Sequence, residues 1–174
     1  MTRATMADLV DVLLEDDRWA KVALADVAQV ASGAALSHMG LNPVHFEISL
    51  LGCNDARIAA LNADFREKPR ATNVLAWPTQ ERASKTPGGT PDLPQPGNTE
   101  PQELGDIAIA YETCLNEAER ANTEFGHHVA HLLVHATLHL LGYDHIKQQD
   151  AVLMEGLEQQ ILASMGHPDP YGND

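Results

Sequence analysis

The feature that most constrains this chain is a run of histidines closed by one glycine. Six of its nine histidines lie between His127 and His145. Leu132, Leu133, Val134, Leu138, Leu140 and Leu141 interleave with them at helical spacing. This predicts an amphipathic helix from Glu124 to Leu141, capped by Thr123 and stopped by Gly142. Helical residues four apart share a face, with Cβ atoms about 6 Å apart, so His135 and His139 can grip one ion. His131 and His139 are separated by about 12 Å of rise, too far for a shared ion. Gly142 accepts left-handed geometry and lets the chain turn back, which returns His145 to the same place. The pattern His135-x3-His139-x5-His145 offers three nitrogens and leaves a fourth position open, the layout of catalytic rather than structural zinc sites. Three imidazoles also suit nickel, copper or iron. His127, His128 and His131 read as surface or supporting residues, with His131 and Asp144 as candidates to orient a ligand imidazole.

The rest of the chain must hold that helix. At 174 residues it has the length of one domain. Strands are expected at 10–14, 44–50, 73–77 and 104–110, from short apolar or alternating runs. Helices are expected at about 19–38, from Asn54 or Asp55 to about Phe65, at 112–121, at 124–141 and at 150–165. Residues 79–103 carry five prolines and three glycines and read as a flexible loop without its own core. The order predicts a mixed α/β fold: one domain over 1–174, about four strands packed with about five helices. The metal site then sits at the end of the long helix.

Charge and composition narrow the function. The net charge is −14, which excludes a basic coat for indiscriminate nucleic-acid binding. Arg57, Arg66, Lys68, Arg70, Arg82 and Lys85 nevertheless fall in a segment with only three acids, a local net of +3. This is either a solvated face or a basic cleft for a nucleic-acid backbone. No run reaches the roughly 20 apolar residues of a membrane span, and no signal peptide is evident. Two distant cysteines make neither a disulfide framework nor a zinc ribbon. A soluble cytoplasmic protein is expected.

The histidine pair resembles that of zincins, whose His-Glu-x-x-His places a general base after the first ligand. Here that position is Ala136, which argues against a peptidase. The longer stretch His135-Ala136-Thr137-Leu138-His139-Leu140-Leu141-Gly142-Tyr143-Asp144-His145 resembles the signature of the YbeY family, whose usual form has Gly where this chain has Ala136. Leu61-Asn62-Ala63-Asp64-Phe65-Arg66, Thr72-Asn73-Val74-Leu75-Ala76-Trp77-Pro78, Leu104-Gly105-Asp106-Ile107 and the tail ending Pro170-Tyr171 resemble further family segments in order. Ala76 stands for the family's Ser and Trp77 for its Phe, and the loop 79–103 is longer than usual.

The resemblance implies a mixed α/β fold and one divalent metal, usually zinc, on His135, His139 and His145. It implies a single-strand-selective endoribonuclease that acts in 16S rRNA 3′-end maturation and ribosome quality control. Its partners would be the 16S precursor and the small ribosomal subunit or its proteins, with no role for DNA or membrane. The family's important arginine falls on Arg66, whose planar guanidinium suits a phosphate. Asp106 either holds Arg66 or a ligand histidine, or caps a turn. The nucleophile is either metal-activated water or the RNA 2′-hydroxyl. Two rivals stand beside this reading: another zincin-like hydrolase, and a non-catalytic ribosome-assembly factor whose metal only staples the fold.

Overall fold

The computed structural model describes residues 8–66, 71–95 and 100–172, with the backbone alone at 64–66. The described residues form β1 (Val10–Leu14), α1 (Arg18–Lys21), α2 (Leu24–His38), β2 (Phe46–Cys53) and α3 (Asp55–Arg66). They continue with β3 (Val74–Pro78), β4 (Gln102–Ala110), α4 (Tyr111–Arg120), α5 (Phe125–Leu140) and α6 (Gln148–Ser164). The four strands lie in the order β1-β2-β4-β3. β1 and β2 are parallel, as are β2 and β4, while β3 runs antiparallel to β4 at the far edge. The expected mixed α/β fold is thus observed, with six α-helices among the described residues where about five were expected.

The additional helix comes from a break in the segment expected to be continuous over 19–38. Ala23 is left-handed, at φ 52°, and separates α1 from α2. Such a conformation is unfavourable for alanine, and tertiary packing accounts for it. Trp19 is fully buried, and its Nε1 donates to the Cys53 carbonyl at 2.9 Å. A Cβ on Gly52 would stand 2.9 Å from the Trp19 ring. Burial of the indole sets the course of α1, and the chain then turns to lay α2 on the sheet.

The main core lies between one sheet face and helices α2, α5 and α6. Ile48, Leu50, Ile107 and Ile109 meet Ala28, Ala31 and Ala35 of α2 and the apolar face of α5 in one buried cluster. Burying each large aliphatic side chain contributes about 1.5–3 kcal/mol. Across the α2–α5 contact, the Ser32 and Thr137 hydroxyls stand 2.9 Å apart, and Thr137 donates to the Leu133 carbonyl at 2.7 Å. The other sheet face carries a smaller cluster, Cys53, Leu75, Ala108 and Ala110 with Ile58 of α3. Helices α3 and α4 tie their starts together. The Asp55 amide donates to Glu112 Oε1 at 2.9 Å, and the Thr113 amide donates to Asp55 Oδ1 at 3.0 Å. Each carboxylate thus sits at the positive end of the other helix.

The start of α5 differs from expectation. Glu124 is the residue before the helix, and Thr123 Oγ1 instead donates back to the Ala121 carbonyl. The end of the expected loop is strand, since β4 already begins at Gln102 and pairs there with Phe46 of β2. The described parts before it form neither helix nor strand, but they are docked rather than loose. Arg82 is only 8% exposed, and its Nη1 donates to the Asp92 carbonyl. The Gly88 amide donates to Asp150 Oδ1 at the start of α6, at 2.7 Å.

A candidate metal centre on the long helix

Helix α5 has two characters. Its core face is buried, while His128, His131, His135 and His139 form a part-buried stripe along one side. The helix ends in a Schellman turn: the Gly142 amide donates to the His139 carbonyl and the Tyr143 amide to the Leu138 carbonyl, both at 3.0 Å. Gly142 has φ 108°, and a Cβ there would lie 2.8 Å from the Arg82 backbone carbon and from Pro91. Both the turn and the close approach of the loop require glycine.

This turn delivers His145. One ligand atom each from His135, His139 and His145 lies within 4.8 Å of the others. The Nε2 atoms of His135 and His139 are 3.1 Å apart. The ring of His145 stands 5.1 Å, centre to centre, from each of the other two. Three imidazole nitrogens facing one point fit a divalent metal of zinc-like preference. Burial first, then the neighbouring His135 and His145, lowers the His139 pKa to about 4, so its imidazole is neutral and free to ligate at pH 7.

The three histidines line a cleft of about 700 Å³. Asn62, Thr72, Asn73 and Ala76 form part of its wall, with Glu81 and Tyr171 at other edges. Ala136 is fully buried against the cleft, where a zincin would place its glutamate.

The supporting residues are only partly those expected. His131 does back the site, through a residue sequence reasoning missed. Glu158 of α6 is 0% exposed. His135 Nδ1 donates to its Oε2 at 2.6 Å, and His131 Nε2 donates to its Oε1 at 2.8 Å. Tyr171 OH donates to the same Oε1 at 2.5 Å. Burial alone would raise the Glu158 pKa, but the bonds from His131, His135 and Tyr171 outweigh it and hold the carboxyl at about 2. A sequence signal existed: Glu158 sits in the buried stripe Met154, Ile161, Leu162, where a lone acid demands partners. Asp144 has a smaller part. Its Oδ1 accepts the His145 amide at 2.6 Å and lies 3.9 Å from His145 Nδ1. His128 instead donates to Glu117 Oε1, at 2.9 Å.

Arg66 is the last residue of α3, and its side chain lies outside the described residues. Asn62, one turn earlier on that helix, lines the cleft. Asp106 is exposed in β4, between Leu104–Gly105 and Ile107, and alternates with the core-facing Ile107 and Ile109. It therefore faces away from α5 and holds no ligand histidine. The basic segment is partly spent elsewhere: Arg57 pairs with Glu15 at 3.3 Å, and Arg82 is buried in the loop. Lys68 and Arg70 lie outside the described residues.

The profile of the family described as Endoribonuclease YbeY matches residues 13–166. The chain belongs to the YbeY family. It is 57% identical over 162 residues to Endoribonuclease YbeY of Ruegeria pomeroyi, covering 93% of this chain and 97% of that one. It is 51% identical over 164 residues to Endoribonuclease YbeY of Paracoccus denitrificans, covering 94% and 90%. The solution structure of TM1509 from Thermotoga maritima shares the fold, with a TM-score of 0.53 at 17% identity over 94% of this chain and 99% of that one. Among the described residues, no helix is long and apolar enough to cross a membrane.

Proposed function

We propose that this YbeY-family protein is a metal-dependent, single-strand-selective endoribonuclease of the cytoplasm. It acts in maturation of the 16S rRNA 3′ end and in quality control of the small ribosomal subunit. The observation that carries it is the convergence of His135, His139 and His145 on one point in an open cleft. The curated relatives named Endoribonuclease YbeY support it over a large part of the chain.

His135, His139 and His145 would hold the ion, most simply zinc. When bound, such an ion supplies Lewis acidity toward a phosphodiester. The chain's own groups do the rest. The Arg66 guanidinium grips the phosphate in a bidentate way and stabilises the charge that develops on its oxygens. The cleft has the volume of a small-ligand pocket, which suits an unpaired nucleotide rather than a duplex. An overall charge of −14 repels RNA at large, so productive binding depends on the local basic residues and on the ribosomal subunit or its proteins. With Ala136 in place of a glutamate, the peptidase alternative lacks its general base.

The test is cleavage of a labelled 16S rRNA 3′ precursor by wild type and Arg66→Ala, each with and without chelator. Wild type should cut, chelator should stop it, and Arg66→Ala should be slowed at least tenfold, or about 1.4 kcal/mol of transition-state stabilisation. Equal cutting by both proteins, or indifference to chelator, would leave the assembly-factor reading with a structural metal. The product ends identify the nucleophile: a 2′,3′-cyclic phosphate arises from the 2′-hydroxyl and not from water.

A further inference from the structure

Among the described residues, Glu158 is the charged side chain buried to 0% exposure. A fully buried, ionised side chain is tolerated only when donors surround it. Here three donors from two elements do so: His135 and His131 on α5, and Tyr171 on the segment after α6. The carboxylate oxygens can only accept, so the bonds fix the protons on both imidazoles. His135 carries its proton on Nδ1, and its Nε2 keeps a lone pair on the side where His139 Nε2 stands 3.1 Å away. Tyr171 lines the cleft as well as holding Glu158.

We propose that Glu158 is a positioning residue for the metal centre: it locks the tautomer and the ring plane of His135, and it fastens Tyr171 to the cleft wall through its other oxygen. This deepens the reading of His135 as a ligand, and rests on it. A buried carboxylate behind a ligand imidazole raises the basicity of the ligating nitrogen, and loss of such a partner weakens metal binding about 10–100-fold. Glu158→Gln keeps the size and removes the charge. An amide has one accepting and one donating end, so it cannot accept from both His135 and His131. One of the two imidazoles must change its tautomer or lose its bond.

Two measurements on the full chain decide the matter. Long-range proton–nitrogen NMR of the metal-free wild type reads the histidine tautomers directly. His135 should be protonated on Nδ1, and a His135 protonated on Nε2 would overturn the proposal whatever the variants do. Competition with a chromophoric chelator for Zn(II) reads affinity. Glu158→Gln should bind about 10–100-fold more weakly than wild type, with a tautomer change at His135 or His131. Affinity within twofold of wild type, with both tautomers unchanged, would make Glu158 a structural group only. Tyr171→Phe removes one of the three donors at a half-exposed site, and is the milder variant should Glu158→Gln fail to fold. It should weaken Zn(II) binding about twofold to fivefold, and no change there would remove the tail from the proposal. His139→Ala tests the ligand set apart from the tautomer lock. If wild type and His139→Ala bind Zn(II) alike, the ligand reading fails, while the tautomer of His135 still tests its lock by Glu158.

Discussion

His135 and His145 reach the same point by opposite means. His135 sits mid-helix, with Glu158 bonded behind it and the core beneath. His145 sits on the turn after α5, with its side chain 52% exposed, and is placed by the backbone path through Gly142. One candidate ligand is fixed by side-chain chemistry, the other by chain geometry. The centre therefore has a rigid half and a half that depends on a single turn.

The sharpest way to break that comparison is to remove each ligand from the metal-free protein. His135→Ala leaves Glu158 buried with one donor fewer, and should lower folding stability by about 3 kcal/mol. His145→Ala removes an exposed side chain and should change stability by less than about 0.5 kcal/mol. Chemical denaturation in chelator measures both, although each variant should also lose cleavage. Gly142→Ala attacks the geometric half alone. Its Cβ would meet the Arg82 backbone and Pro91, and its φ of 108° is strained for alanine. The expected cost is about 2 kcal/mol, read as a lower melting temperature together with weaker Zn(II) binding.

Acidity should act on the rigid half. The folded pKa of His139 is about 4, below its ordinary 6.5. Between these values the unfolded chain binds more protons than the native one. Stability of the metal-free protein is therefore complete above pH 6.5 and is lost as pH falls toward 4, by about 3 kcal/mol from this group. Melting at pH 7, 5.5 and 4 in chelator checks the sign. The smallest effect expected is that of Asp144→Ala. Its carboxylate is 41% exposed and 3.9 Å from the His145 ring, so Zn(II) affinity should change by less than about twofold.

What could be read from the sequence follows the same division. The turn at Gly142 and the spacing of His135, His139 and His145 are local relations, governed by helix pitch and one left-handed residue. The strands of the sheet were legible for a similar reason, since alternation and apolar runs are local. The break at Ala23 was not, because it answers to Trp19 burying itself beneath Gly52. Thr123 had the right chemistry for a cap, but the chain's path put its hydroxyl on Ala121. Glu158 was hidden by its company: Glu155, Gln159 and Gln160 surround it in sequence, and only its register with Met154 and Ile161 marks it as internal. A role that depends on which element packs behind which cannot be stated before the packing is known.

The bond between Tyr171 and Glu158 has a consequence in time. The chain is made from its N-terminus, so His135, His139 and His145 emerge before α6 and the segment that carries Tyr171. Until those later residues arrive, His135 has no carboxylate behind it and its two tautomers compete. On the proposed reading, a chain made only as far as His145 would bind Zn(II) less tightly than one that also carries α6 and Tyr171.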